Sequence, residues 1–427
     1  MTTRVVGQPL PKVDAQAKVT GQTLFADDLF LPRMLHAKIL RATRPHARIR
    51  SIDVSRARSL PGVESVLLGR ELPISFGILP VSQDEHALCI DKVRFVGDPV
   101  AAVAAVREEV AEAALELIEV EYEPLEAVGS IEAALRAEGD AHHANAFDHG
   151  APREPIQDYG DGLRLDGDRG AGDGAAARVE QAGARSSGNG ASPSDGAAAD
   201  IHKLVALEFG DVEAGFAESD GVREDLFFYQ GNTHLAMEQH AALAQATPDG
   251  KVTLWTSSQT PHYVHRALAR VLEMPPARIR VIATPNGGGF GGKSDPFSHE
   301  IVVAKLSLMT GRPVKICLTR EEVFYCHRGR HPVLMWVKTG YRRDGAITAM
   351  HFRSYLDGGA YGSYGVASTY YTGALQTVTY EVPRYKFEGV RVFTNKPPCG
   401  PKRGHGTPQP RFALEVQLDK IAEELGL

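Results

Sequence analysis

From residue 14 to about 130, short apolar segments alternate with polar turns, which predicts a compact α+β unit. Met34 to Arg41 and Val63 to Leu68 read as strands, the second entered through the Pro61-Gly62 turn, with a short helix from Val54 to Leu60 between them. Gly97-Asp98-Pro99 has the form of a helix start, Asp98 as cap and Pro99 in the first turn, so the alanine-rich run from Val100 to Leu117 is expected to be helical, with a strand at Ile118 to Tyr122 after it. After residue 200 the pattern is that of a mixed α/β unit. Strands are predicted at Ala206–Phe209, Val222–Phe228, Lys251–Thr256, Arg278–Ala283 and Val314–Leu318, and helices at Pro261–Leu272 and Phe297–Thr310. A further helical stretch, Val416 to Leu425, closes the sequence.

Between these units the patterning fails. From Asp161 to Asp200 the large aliphatic residues are Leu163, Leu165 and Val179 alone, and no aromatic occurs. Such a segment buries too little surface to offset its ordering entropy, so 151–199 is expected to be a disordered linker or insertion, the competing reading being a lid over an active site. The chain then divides into 1–150, 151–199 and 200–427.

The 427 residues suffice for two or three domains, and 43% hydrophobic with 23% charged residues excludes fibrous and wholly disordered classes. A net charge of -6 gives no electrostatic footprint for nucleic acid and little attraction to anionic lipid. Cys89, Cys317, Cys326 and Cys399 form no CxxC pair for zinc or an iron-sulfur cluster. The N-terminus has no apolar leader core, and no run of 18 apolar residues occurs. A cytoplasmic protein with reduced thiols, and with neither nucleic-acid nor membrane partners, is the expectation.

Three motifs carry candidate chemistry. Asn286-Gly287-Gly288-Gly289-Phe290-Gly291-Gly292-Lys293-Ser294 lets backbone amides approach an anion, and Gly287, Gly292, Lys293 and Ser294 also satisfy the P-loop pattern. A nucleotide hydrolase would need a magnesium-binding carboxylate, and Asp357 is a poor candidate because its segment is broken by His351 and Arg353. The loop Lys396 to Arg411 is dense in proline and glycine, and Asp357 to Gly365 with Tyr370-Tyr371 could line an aromatic slot or merely pack. His234, His240, His262, His265, His327 and His331 show no paired metal-ligand spacing, so a metal held by protein side chains is not expected and most of these histidines read as structural.

The order of Gly287–Lys293, Arg320-Glu321-Glu322, Arg328–Pro332, Tyr380–Pro383 and the Arg403–Gln409 loop resembles the molybdenum hydroxylases of the xanthine dehydrogenase and aldehyde oxidase type. Leu35-His36-Ala37, Arg44–Ile49 and Val96–Ala101 resemble that family's α/β-hammerhead domain. The resemblance implies an α+β chain: a hammerhead domain followed by a first molybdopterin-binding domain, the second being absent. Within the family it is similar to the large subunit of 4-hydroxybenzoyl-CoA reductase through Lys396–Phe412 and Gly231–His234, with an aldehyde or N-heterocycle hydroxylase as the rival and a non-catalytic remnant as the alternative from another class.

By the same resemblance Gly288, Gly289, Phe290, Gly291 and Gly292 would face the molybdenum cofactor, in plain or cytosine-dinucleotide form. Gln259 would hydrogen-bond a metal oxo group, and Arg403 would belong to a second cofactor-contacting loop in which a backbone amide faces the metal ligands. Ser294 stands where purine-oxidising members carry a glutamate, and Tyr370-Tyr371 where they carry a substrate-binding arginine; these three are substrate-pocket candidates and argue against purines. The family's catalytic glutamate lies several hundred residues beyond the glycine loop, and 134 residues follow Lys293, so no catalytic acid or base is assigned. Electrons would come from iron-sulfur and FAD subunits, the C-terminal half from a separate polypeptide, and the substrate would be an aromatic acyl-CoA.

Overall fold

A computed structural model describes residues 4–136, 201–326 and 328–427, so the segment 151–199 and His327 lie outside the described residues. The apolar runs pair into a mixed seven-stranded sheet in the order Ile279–Ala283, Val252–Thr256, Ala241–Ala246, Val314–Cys317, Leu35–Arg41, Pro99–Ala105, Val63–Leu68. Leu35 pairs in parallel with Val314, so the sheet runs without a break from the N-terminal unit into the second half. A five-stranded sheet has the order Ile201–Phe209, Tyr385–Val392, Ile347–Asp357, Val333–Tyr341, Gly221–Tyr229, and a three-stranded one joins Lys92–Val93, Ala47–Asp53 and Glu119–Pro124.

Four helices frame the glycine-bearing loops: α1 (Pro261–Val271), α2 (Ser298–Thr310), α3 (Gly365–Ala374) and α4 (Pro408–Leu425). Of these, α1 and α2 pack on the larger sheet, where Val264, Leu268, Ile301 and Val303 join Leu35, Leu254 and Ile316 in one core. α4 lays Ala413 and Leu414 on the smaller sheet against Met335 and Val337, and it begins eight residues before the predicted Val416 because Pro408 and Pro410 fit a first helical turn.

The expected helix over Val100–Leu117 is instead the strand Pro99–Ala105 followed by a short helix, Glu108–Leu115. All seven strand residues are buried, between two antiparallel neighbours. An unbroken apolar run of small residues suits a strand covered on both faces as well as it suits a helix, and periodicity cannot separate the two. Nor is Asp98 a helix cap: its Oδ2 accepts from the Arg94 amide at 2.8 Å, and Tyr361 donates to the same carboxylate at 3.1 and 3.2 Å.

That last contact belongs to a buried polar seam between the two halves. Asp84 accepts from the Gly362 amide at 2.8 Å, Asn395 spans from the Arg94 carbonyl to the Val128 amide, and Arg328 bridges Glu85 and Asp295. The guanidiniums of Arg328, Arg94 and Arg391 do not fully offset the burial of these carboxylates. Burial, only partly offset by Arg328, pushes Glu85 up to about 8; burial alone dominates at Glu300 in α2, raised to about 7, and at Asp98, raised to about 6.

Each of these acids binds its proton more tightly folded than unfolded. Their contribution to stability is therefore full below pH 3.8 to 4.5, the ordinary values, and is lost as pH rises through about 6 to 8. Unfolding free energies from urea titrations at pH 5 to 9 are expected to fall by up to about 1.4 kcal/mol per pH unit per group, and Glu85→Gln to flatten the upper part of the slope. A flat wild-type profile would show these carboxylates to be ionised throughout.

Candidate cofactor site

The strand Ile279–Ala283 delivers the chain into the glycine loop, and α2 starts only at Ser298, four residues beyond Ser294. Three loop residues occupy left-handed conformations: Gly288 (φ +112°), Phe290 (φ +52°) and Gly291 (φ +96°). Phe290, 46% exposed, pays a steric cost that glycine would not, which marks strain held by its surroundings. Asn286 pins the loop at one end, accepting from the Gly288 amide and donating to the Ser257 carbonyl, both at 2.9 Å.

Gln259 lies against the loop. Its Oε1 accepts from the amides of Gly291 at 3.0 Å and Lys293 at 3.3 Å, which leaves its Nε2 as the group that can donate elsewhere. The Gly287 amide goes to Glu238 and that of Gly292 to the Gly289 carbonyl, whereas the amides of Gly289 and Phe290 have no acceptor among the described residues. A Cβ at Gly289 would sit 2.4 Å from Gln259 Oε1, and one at Gly292 2.7 Å from the His234 ring, so the glycines let neighbours close in from both sides.

The second loop meets the first directly. The Phe290 carbonyl accepts from the Arg403 amide at 2.9 Å, and a Cβ on Gly291 would lie 2.5 Å from the Pro401 carbonyl oxygen. Arg403 thus comes to the glycine loop, its own amide engaged by Phe290. The amides of Gly404 and His405 are left open beside it. His234 Nε2 donates to the Pro401 carbonyl at 2.7 Å and His240 Nε2 to the Gly292 carbonyl at 3.0 Å. Burial pushes His234 down to about 4 and His240 well below its usual range, so both are neutral props for the loops.

An aromatic cluster adjoins the loops, on residues that sequence reasoning only partly identifies. The His405 ring lies edge-on to Tyr364 (5.3 Å between centroids) and to Tyr371 (5.6 Å), and its Nε2 is 2.5 Å from Ser368 Oγ. Burial, with Arg330 nearby, lowers His405 to about 4, so its imidazole is uncharged. Tyr370 is 47% exposed on the outer side of α3, and Ser294 is half-buried with its carbonyl accepting from Thr260. Sequence reasoning misses His405 because a lone histidine in a glycine-rich loop has no periodic signature.

Other expectations resolve differently. Lys293 is buried and its Nζ holds Glu238 Oε2 at 2.6 Å, so it cannot reach a bound phosphate as a P-loop lysine does. Asp357 is tied to Lys396 at 2.7 Å and Thr394 at 2.5 Å. The glycines from 358 to 365 make room for Arg391, whose Nη2 donates to the carbonyls of Gly358 and Tyr361 at 2.9 and 3.0 Å; Cβ atoms at Gly358 and Gly365 would strike its guanidinium. Tyr361 is buried in the seam and takes no part in the aromatic cluster.

Among the described residues no group of three or more His, Cys, Asp or Glu side chains could hold a metal ion, and no helix is long and apolar enough to cross a membrane. What the two loops offer is open backbone amides and one side-chain amide around a glycine-lined cradle. That donor set fits a metal that arrives with its own sulfur ligands on an anionic organic cofactor.

Comparison with known proteins agrees with this geometry. Residues 197–427 match the molybdopterin cofactor-binding domain model, and residues 20–126 match the aldehyde oxidase and xanthine dehydrogenase a/b hammerhead domain model. The chain is 34% identical to the nicotinate dehydrogenase large molybdopterin subunit of Eubacterium barkeri over 99% of its own length and 87% of that subunit. It is 35% identical to a probable xanthine dehydrogenase subunit of Bacillus subtilis (strain 168), covering 97% of this chain but only 48% of the relative. The crystal structure of quinoline 2-oxidoreductase from Pseudomonas putida 86 superposes with a TM-score of 0.80 at 30% identity, over 98% of this chain and 48% of that one.

Proposed function

Since the chain belongs to the xanthine dehydrogenase and aldehyde oxidase family of molybdenum hydroxylases, we propose that it cradles the cofactor of such an enzyme and presents an N-heteroaromatic ring to it for hydroxylation. The observation that carries this reading is the junction of the two loops, with the amides of Gly289, Phe290, Gly404 and His405, which have no acceptor among the described residues, beside Gln259 and next to the ring cluster of Tyr364, Tyr371 and His405. When bound, the cofactor supplies oxygen transfer to the ring carbon and accepts the two electrons released.

The chain's own part is positioning. Gly288 to Gly292 admit the cofactor and Gln259 Nε2 donates to it. The loop amides are preorganised for an anionic partner, and the ring cluster orients a planar ring edge-first. Glu238 and Asp295, the carboxylates on the loop, are committed to Lys293 and Arg328, so neither is available as base. We assign that role to a second polypeptide supplying the C-terminal half of the subunit. The 87% coverage of the Eubacterium barkeri subunit, against 48% for the Bacillus subtilis relative, supports a division of this kind. The electrons would leave through iron-sulfur and FAD subunits in the cytoplasm, which suits four free cysteines.

The N-heterocycle reading is preferred over reduction of 4-hydroxybenzoyl-CoA because the relatives named above are called nicotinate, xanthine and quinoline enzymes. Purification from the native host, with molybdenum analysis and assays on pyridine-3-carboxylate, quinoline, xanthine and 4-hydroxybenzoyl-CoA, tests it. Molybdenum with ring hydroxylation is expected. Thioester reduction without hydroxylation would establish the reductase instead, and a metal-free chain without partners would establish a remnant.

A further inference from the structure

Beside the glycine loop stand three cations, Arg330, Lys402 and Arg403, with which no carboxylate pairs among the described residues. Arg330 is 4% exposed, and its guanidinium meets only neutral acceptors: Gln409 Oε1 at 3.3 Å from Nη1 and the Arg403 carbonyl at 2.5 Å from Nη2, with none at Nε. By contrast the buried guanidinium of Arg328 has Glu85 and Asp295, that of Arg353 has Glu388 at 2.7 Å and that of Arg41 has Glu322 at 3.1 Å. An unpaired buried charge is costly, and a fold keeps one where a partner of opposite sign comes to it.

The backbone that carries the three is held in place. The Arg330 amide donates to the Asn232 carbonyl and the Gly400 amide to the Gly329 carbonyl, both at 2.9 Å, while Arg403 is anchored through its amide to Phe290. The Lys402 amide nitrogen lies 3.2 Å from where a Cβ on Gly291 would be, which puts the cluster at the rim of the cofactor cradle. We propose that Arg330, Lys402 and Arg403 form an oxyanion site that takes a carboxylate or phosphate group of the ligands bound over the glycine loop. This rests on the reading of that loop as a cofactor cradle.

The electrostatics agree: burial, then Arg330, then Arg403 depress the Lys402 ammonium, and burial depresses Arg330, so an anion would relieve both. The two sources of such an anion are a carboxylate on the substrate ring and a phosphate on the cofactor. A guanidinium and an ammonium converging on one group suit either, because both offer charge-assisted hydrogen bonds.

The test uses the complex purified from its native host, wild type against Lys402→Gln and Lys402→Arg; Lys402 is half-buried and forms no ion pair with a described residue, so neither change threatens the fold. Binding of pyridine-3-carboxylate and of its uncharged carboxamide is read by calorimetry, and molybdenum per chain by elemental analysis. If the anion is the substrate's, Lys402→Gln weakens the carboxylate relative to the carboxamide by about tenfold and Lys402→Arg restores the ratio. If it is the cofactor's phosphate, Lys402→Gln lowers molybdenum content about tenfold instead, again rescued by arginine. Should both the ratio and the metal content stay within about twofold of wild type, the oxyanion site is refuted. Calorimetry reads binding without turnover, so a complex that hydroxylates no heterocycle would overturn the functional reading while this comparison still decides the anion site.

Discussion

Gly291→Ala is expected to reduce molybdenum per chain to about a tenth or less of wild type, because a methyl group here must displace backbone from backbone. Its Cβ would lie 2.5 Å from the Pro401 carbonyl oxygen and 2.8 Å from the Pro401 carbonyl carbon. Neither can swing aside as a flexible side chain could. The two loops would have to part, lengthening the 2.9 Å bond from the Arg403 amide to Phe290 and misplacing the open amides on both sides. Gly345→Ala is the matched control: Gly345 has φ +86°, a comparable backbone strain, but its Cβ would meet only Leu427 Cδ1 at 3.4 Å, far from the cradle. Both variants should lose about 1 kcal/mol or more in thermal unfolding, and only Gly291→Ala should lose metal. Full molybdenum occupancy in Gly291→Ala would remove the junction of the loops from the account of cofactor binding.

Arg328→Met is expected to cost about 3–5 kcal/mol of folding stability at pH 9, above the value of about 8 at which Glu85 loses its proton, read by urea unfolding. Its guanidinium, 3% exposed, is the link across the seam: Nε holds Asp295 Oδ2 at 3.1 Å, Nη2 holds Glu85, and the cation lies 5.2 Å from the centroid of the Phe297 ring. Without it two carboxylates stay buried, with Asp295 retaining Ser363 Oγ at 2.5 Å as its neutral partner. Adding Glu85→Gln to Arg328→Met should recover part of the loss, since the amide carries no charge to strand, and the cycle of single and double variants isolates the coupling. A loss under about 1 kcal/mol would mean that the carboxylates already hold their protons in the native state.

Local order is legible in the sequence wherever a segment's period is unambiguous. The strands at Leu35–Arg41 and Val63–Leu68 and the helix α1 fall close to their predicted bounds, because alternation or a 3.6-residue repeat bounded by turn residues leaves one solution, and α2, buried nearly all round, does so through its length and the Gly311 that ends it. Pro99–Ala105 reads wrongly as helix because a run buried on both faces carries no period at all. Gln259, the glycine loop and the Arg403 loop can be identified from residue order, since each is a contiguous motif, and the structure brings the three together.

Other features are long-range pairings that no local pattern encodes. The sequence by itself determined the α/β patterning and the two glycine-bearing loops, both of which are properties of neighbouring residues. Only the tertiary structure decided that Lys293 serves Glu238 rather than a phosphate, that the glycines of 358–365 admit Arg391, and that Arg330 and Lys402 converge with no described carboxylate beside them. Each of those outcomes depends on which distant side chain burial brings alongside, and the free energy of a buried charge is set by that neighbour and not by the residue's own place in the chain.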